Sequence, residues 1–153
     1  IFSLVVIHGL SVKYVTVLLT VNNIVNLYTR TKIGKLIDRF GEKFMLTMAY
    51  IILIFVFAGY AYLKNIGVLA ILYCADHVLF GMNIAFPSYL SRIADRGDLA
   101  PSLAFGSTIN HVAAIFIPVL GGLLWNLYGY QATFLLGVVL LVFSIFFARR
   151  IEI

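Results

Sequence analysis

The stretch 44–63, FMLTMAYIILIFVFAGYAYL, carries no charged side chain and decides the class of fold. A helix of about 20 apolar residues crosses the hydrocarbon core of a bilayer, which is ~30 Å thick. Only helices and closed barrels satisfy all backbone hydrogen bonds in lipid, and the chain lacks the sustained apolar–polar alternation of barrel strands. The stretch therefore predicts a membrane-spanning helix.

The whole chain has the same apolar character. Of its 153 residues, 63% are hydrophobic and 11% are charged, and the mean hydropathy is +1.06. Soluble domains are about 45–50% apolar and about 25% charged. The composition excludes a water-soluble enzyme, a disordered tail and a nucleic-acid-binding module, despite a net charge of +5. The single cysteine, Cys74, excludes an internal disulfide and a cysteine-rich metal site.

Turn-forming residues divide the chain into apolar segments. Gly41, Gly97 and Gly129 stand between apolar runs, and the short connections indicate that successive helices are antiparallel neighbours. We predict an all-α membrane protein, a polytopic helical bundle in a single transmembrane domain over 1–153. Its elements are the end of a truncated helix at 1–7 and five transmembrane helices at 11–31 (A), 43–63 (B), 66–91 (C), 101–126 (D) and 130–148 (E).

The basic residues predict the orientation. Most of the Lys and Arg residues fall in the A–B loop, in the C–D loop and after helix E, and the positive-inside rule places these regions in the cytoplasm. We expect an integral protein of the plasma (inner) membrane. The basic residues on this side are Arg30, Lys32, Lys35, Arg39, Lys43, Arg92, Arg96, Arg149 and Arg150, and those on the other side are Lys13 and Lys64.

Strongly polar residues at membrane depth fall in only three of the helices. Such residues are costly in lipid and should face protein or a water-filled cavity. Helices A, C and D are therefore expected to surround a cavity, whereas B and E, without such residues, can face lipid all round. The polar residues are Asn22, Asn23 and Asn26 in A, Asp76, His77 and Asn83 in C, and Ser107, Thr108, Asn110 and His111 in D.

The segment between helices A and B reads GKLIDRFGEK over 34–43. Gly34 removes a side chain and would allow another helix to approach closely. Asp38 precedes helix B, where the positive end of the helix dipole favours an acid. Gly41 allows a tight turn.

This segment resembles the loop signature G-x-L-x-D-R-x-G-R/K-R/K of the major facilitator superfamily of secondary transporters. Glu42 departs from the signature, because the family usually has a base there. The resemblance implies that Asp38 contacts a neighbouring helix and helps to hold one conformation of an alternating-access cycle. A well-formed turn with no switching role is the alternative. The matching residues are Gly34, Leu36, Asp38, Arg39, Gly41 and Lys43.

A second resemblance lies in helix D. The stretch IPVLGG over 117–122 looks like the G-P-x-x-G-G element of proton-coupled antiporters of the same superfamily, with Ile117 in place of the first glycine. Pro118 should kink the helix, and Gly121 and Gly122 should let another helix pack on its backbone. A packing hinge without a role in coupling is the alternative.

The superfamily resemblance also implies an architecture. Its members have twelve helices in two halves, and this chain resembles one half that is followed by a short basic tail. We therefore expect a fragment, the C-terminal half, with the N-terminal half as the alternative and the other half as its protein partner. In this mapping A, C and D are helices eight, ten and eleven, which lie beside the central cavity or at the seam between the halves.

Asp76 is the sharpest candidate for a mechanistic residue. It lies ten residues after Ile66 and sixteen before Arg92, so it is about 15 Å and about 24 Å from these two residues at 1.5 Å per residue. Burial disfavours a charged carboxylate, which suits a proton carrier. We predict that Asp76 binds or relays protons, or contacts a cationic group of a substrate. A structural acid bonded to His77, to Asn110 or to a group in the missing half is the alternative. The residues that share its predicted cavity-lining face are Tyr73, Phe80, Asn83 and Pro87.

Three further residues are candidates with a simpler alternative. His111 can titrate near physiological pH, although an interhelical hydrogen bond is the common role of a membrane histidine. Asn22 and Asn26 are four residues apart and share a face of helix A, so they are suited to bind substrate hydroxyls. Asparagine also serves as a polar contact between helices.

The sequence contains no motif for nucleophilic catalysis, metal binding or nucleotide binding. There is no G-x-S-x-G elbow, no cluster with metal-ligand spacing, and no Walker or G-x-G-x-x-G loop, so we predict neither enzyme activity nor a cofactor. We predict gradient-driven, proton-coupled transport of a small solute by alternating access, with efflux as one direction. The alternatives are an uptake permease, and a non-transporting scaffold or lipid-modifying membrane protein.

Overall fold

The computed structural model describes residues 2–95 and 97–150, and these residues form helices and short turns without a strand. The all-α prediction is thereby confirmed. Arg96 and the tail residues Ile151, Glu152 and Ile153, which entered the sequence argument, lie outside the described residues. The helices are α1 (Phe2–Val6), α2 (Val12–Phe40), α3 (Glu42–Tyr62), α4 (Ile66–Phe80), α5 (Ala85–Ile93), α6 (Leu99–Tyr128) and α7 (Tyr130–Arg149).

Four stretches of the described residues are long and apolar enough to cross a membrane. They are α3, the stretch Ile66–Ile93 that contains α4 and α5, α6, and α7. These are the predicted helices B to E, so the chain is an all-α protein with several candidate spans. The predicted helix A corresponds to α2, which is not among the four; its asparagines and basic residues lower its hydropathy. A fifth span stays a prediction.

The α2 helix is longer than the sequence predicted. It was expected to end near residue 31 and to be followed by a loop, but it continues to Phe40 and only Gly41 separates it from α3. The intervening residues include good helix formers and no proline, and Gly34 alone does not end a helix. Gly41 has φ +81° and donates its N–H to the Ile37 carbonyl over 2.8 Å. The predicted tight turn at Gly41 is confirmed.

The predicted helix C is interrupted. A 3-10 turn at Gly81–Ile84 separates α4 from α5. Pro87 has no N–H to donate to the Asn83 carbonyl four residues earlier, and its ring crowds that carbonyl, which favours the tighter 3-10 turn observed just before it. The helical spacing that placed Asp76 and Pro87 on one face does not extend through the turn.

The core lies along one face of α3. The buried residues Met45, Ala49, Leu53, Val56 and Tyr60 recur at helical spacing on this face. The α3 helix packs on α7 most extensively and also contacts α2, α4 and α5. The expectation that helices B and E face lipid all round is therefore wrong, because each packs against the other.

The two polar outer helices have different neighbours. The α2 helix packs on α3, α4 and the 3-10 turn, whereas α6 packs on α5 and α7. None of the α6 residues is buried among the described residues. The polar side chains of α2, α4 and α6 are therefore divided among separate grooves.

The contact between α3 and α7 yields a stability prediction. A Cβ on Gly137 of α7 would lie 2.5 Å from Cδ2 of Phe57 in α3. Overpacking of this kind costs about 1–3 kcal/mol, which exceeds the helix-propensity gain of about 1 kcal/mol from Gly to Ala. We expect Gly137→Ala to lower the melting temperature in detergent.

Gly122→Ala is the matched control, because Gly122 has no neighbouring atom of the described residues within 4 Å of an added Cβ. This variant should melt at the same temperature as the wild type or slightly higher. Equal melting of both variants and the wild type would contradict the described packing of α7 on Phe57.

Candidate functional site

Asp76 lies in a pocket of about 420 Å³ formed by α1, α3, α4 and α7. We call it the Asp76 pocket. Its aspartate side chain is 27% exposed. The sequence predicted Asp76 and Tyr73 as cavity residues, and the structure brings them together here. The other lining residues are Ser3, Leu4, Phe57, Tyr60, His77 and Phe134.

Asp76 lies beside a histidine but accepts no hydrogen bond from a side chain of the described residues. Nδ1 of His77 lies 4.0 Å from Oδ2 of Asp76, and the same nitrogen lies 3.0 Å from the Tyr73 carbonyl oxygen. Since a carbonyl can only accept, His77 carries its hydrogen on Nδ1 in this contact. No side chain in the described part of the chain donates a hydrogen bond to Asp76. The hydroxyl of Tyr60, which lines the same pocket, is buried and also lacks a described partner.

A second cavity, of about 410 Å³, lies between α2, α4 and the 3-10 turn. We call it the asparagine groove. Asn22 is 2% exposed, and its carbonyl and Oδ1 accept from Nδ2 of Asn26 over 3.0 and 3.1 Å. His77 lines both this groove and the Asp76 pocket, so the two cavities adjoin at its ring. The groove is lined by Asn22, Asn23, Asn26, Arg30, His77, Phe80, Gly81 and Ile84.

The remaining polar candidates lie elsewhere. Asn83 and Asn110 line a third groove of about 490 Å³ between α5 and α6, together with Ser107 and Pro87. Asn110 is thus not a partner of Asp76 in this chain. His111 is exposed on α6 and lines none of these three cavities. The predicted common cavity is therefore resolved into three smaller ones.

The proline–glycine element of α6 faces α7. Pro118 lies within α6 without ending it. Pro118, Gly121 and Gly122 line a largely apolar groove with α7, and the Thr133 hydroxyl donates to the Gly121 carbonyl over 3.0 Å. A Cβ on Gly121 would lie 3.4 Å from Thr133 Cγ2. This geometry is that of a helix-packing site.

The motif residues other than Gly41 are helical rather than part of a loop. Asp38 and Arg39 are exposed in the last turn of α2, and Lys43 lies in the first turn of α3. The expectation that Asp38 sits at the positive end of helix B is wrong, because α2 continues beyond it. No atom of the described residues lies within 4 Å of a Cβ at Gly34, so the expected close approach of a helix there is absent from this part of the chain.

Glu42 occupies the place that was expected for Asp38. It is 0% exposed and lies in the first turn of α3, where an acid is favoured by the helix dipole. Its Oε1 accepts from the Ser88 hydroxyl over 2.9 Å and lies 3.1 Å from Nε of Arg92. The pair links the α2–α3 junction to α5. Sequence reasoning noted only that Glu42 departs from the family signature.

The fold and these cavities define a polytopic helical membrane protein with polar groups at membrane depth. A profile of the Major Facilitator Superfamily matches residues 9–152. The chain belongs to this family, and membership implies a secondary transporter rather than an enzyme. No curated protein and no solved structure matches the chain significantly.

The buried ion pair yields an asymmetric prediction. Arg92→Gln leaves the fully buried Glu42 without its counter-charge, whereas Glu42→Gln leaves Arg92, which is 51% exposed, in contact with water. Breaking a fully buried pair costs ~3–5 kcal/mol. Because Arg92 is half exposed, we expect Arg92→Gln to lower the free energy of unfolding by less, about 2–3 kcal/mol. Glu42→Gln should cost about 1 kcal/mol.

Denaturant unfolding in detergent measures both effects, with the exposed Lys64→Gln as the control. The double variant should resemble Glu42→Gln alone, because no buried charge is left. Equal effects of the two single changes, or additive effects in the double variant, would show that Glu42 is not held as a buried partner of Arg92.

Proposed function

We propose that the chain transports a small solute by alternating access and couples this movement to protons. The observation that carries the proposal is Asp76, an acid within a candidate span that has no described hydrogen-bond donor. It lies ten residues after the start of the stretch Ile66–Ile93, which is ~15 Å along the helix. A carboxylate at such a depth costs ~2.5–3.5 kcal/mol on insertion scales, and acids of this kind mark proton and substrate paths.

The adjoining cavities suit coupling. A proton on Asp76 and a solute in the asparagine groove would both act on His77, which lines both cavities. With Nδ1 directed at the Tyr73 carbonyl, Nε2 is the ring nitrogen left to contact a group in either cavity. Occupation of one cavity would therefore change the orientation of the ring that the other cavity meets.

The proposed movement is a rocking of this bundle against a second one around a site near the midplane. We propose that the chain acts as the C-terminal half of such a pair, and that the α2–α3 junction lies on the cytoplasmic side. The Glu42–Arg92 pair ties this junction to α5, so the two would move together. Both efflux and uptake are compatible with this arrangement.

Asp76→Asn tests the coupling. The intact protein is placed in vesicles loaded with the pH dye pyranine, and lactate, benzoate, glycerol and choline are added as anionic, neutral and cationic probes. The wild type should move protons with at least one probe. Asp76→Asn should reduce this movement to the background of protein-free vesicles, because an amide cannot carry the proton.

Exchange of labelled for unlabelled probe at equal pH should survive in Asp76→Asn, since exchange needs no net proton movement. Asp98→Asn is the matched control; Asp98 is exposed and makes no side-chain cap at α6. Unchanged proton movement in Asp76→Asn would refute the assignment of Asp76. Probe flux without proton movement in the wild type would refute proton coupling.

A further inference from the structure

Arg30 lies deeper along its helix than the sequence indicated. The sequence placed it in a cytoplasmic loop, but α2 continues for ten residues beyond it, which is ~15 Å. The α3 helix starts at the same turn and, with 21 residues, is ~31 Å long. Because α2 and α3 share a buried cluster in which Ile37 packs with Met45 and Leu46, the two helices run back along each other. Arg30 is therefore ~15 Å from this turn along α2, and it borders Gly81 and Ile84 within the candidate span Ile66–Ile93.

At this level, Arg30 lines the asparagine groove without an acidic neighbour. None of the groove residues is an Asp or Glu. Within 2–95 and 97–150, the acids that lie within 4.0 Å of a basic side chain are Asp76, beside His77, and Glu42, beside Arg92. A guanidinium stays charged under all ordinary conditions, and a cation at membrane depth requires a partner or water.

We propose that the asparagine groove binds the carboxylate of a small organic anion, and that Arg30 is the residue that holds it. This inference rests on the proposed transport function and adds the class of solute. The fork of a guanidinium matches the two oxygens of a carboxylate. Asn26 lies one turn before Arg30 on the same face and is itself fixed by Asn22, so the polar wall is pre-formed.

The dimensions and the other wall restrict the size of the anion. The volume of about 410 Å³ is at the lower end of the range of ligand pockets. Phe80 and Ile84 supply an apolar wall on the α4 side, which suits a short carbon skeleton. A lipid phosphate is the other anion that could reach an arginine, but the headgroups lie at the ends of the spans and Arg30 lies ~15 Å from the nearer end of α2.

The test uses the melting temperature of the intact protein in detergent at constant ionic strength. The probes are two matched pairs, lactate with lactamide and benzoate with benzamide, and phosphatidylglycerol is a separate arm. The variants are Arg30→Gln, Arg30→Lys and the control Lys32→Gln. Lys32 is an exposed base of the same helix, two residues on and therefore on another face, and it does not line the groove.

We expect at least one carboxylate to raise the melting temperature of the wild type and of Lys32→Gln, and its amide to have no effect. Arg30→Gln should raise the half-effective concentration about tenfold or more, because a charge-assisted contact is lost. The half-effective concentration for Arg30→Lys should lie between those of the wild type and Arg30→Gln, since an ammonium keeps the charge but lacks the two-pronged geometry of a guanidinium. If Arg30→Gln cannot be purified, Arg30→Lys and the carboxylate–amide comparison decide the question.

Three results would overturn the inference. They are equal stabilisation by carboxylate and amide, full carboxylate stabilisation of Arg30→Gln, and Arg30-dependent stabilisation by phosphatidylglycerol without any by lactate or benzoate. Carboxylate binding without proton-linked flux would refute the proposed coupling and leave Arg30 in place. Proton-linked flux of glycerol or choline that Arg30→Gln does not change would refute the carboxylate site at Arg30 and leave the proposed proton coupling in place.

Discussion

One turn, made by Gly41, fixes how the polar helix α2 lies against the apolar helix α3. This residue is the only one between the two helices, and its positive φ is a conformation that glycine adopts without strain. A single linking residue leaves little freedom, so α2 must run back along α3 from that point. The buried cluster that contains Ile33, Ile37 and Met45 sets the contact between the helices. The position of every α2 side chain along the bundle follows from this turn.

The turn explains why the polar residues of α2 meet α4. With α2 running back from Gly41, Ile33 reaches the 3-10 turn, where a Cβ on Gly81 would lie 3.4 Å from its Cδ1. The residues one to three turns before Ile33 in α2 then border His77 and form the asparagine groove. Because His77 also borders Asp76, the groove and the acid share one wall. The candidate solute site and the candidate proton site are thus adjacent through packing alone.

The sequence predicted the apolar spans and the glycine turns well, because lipid and backbone sterics act locally. It could not predict the end of α2, since a basic helix and a basic loop have the same composition. It also missed the partnership of Glu42 with Arg92, which depends on α5 packing beside the start of α3. The face assigned around Asp76 is divided by the 3-10 turn at Gly81–Ile84 just before Pro87, which simple helical spacing does not take into account. The Glu42–Arg92 contact depends on long-range packing, whereas the end of α2 and the 3-10 turn follow from local backbone preferences that composition and spacing do not reveal.

We propose that α2 enters the membrane continuously from Gly41. A nitroxide at position 31 and another at position 40, each in a Cys74→Ala background, report depth through collisions with oxygen and with a water-soluble nickel complex. Both positions are exposed on α2. The label at 31 should lie about 13 Å deeper than the label at 40, nine residues along the helix. Equal depths, both at the headgroups, would contradict it.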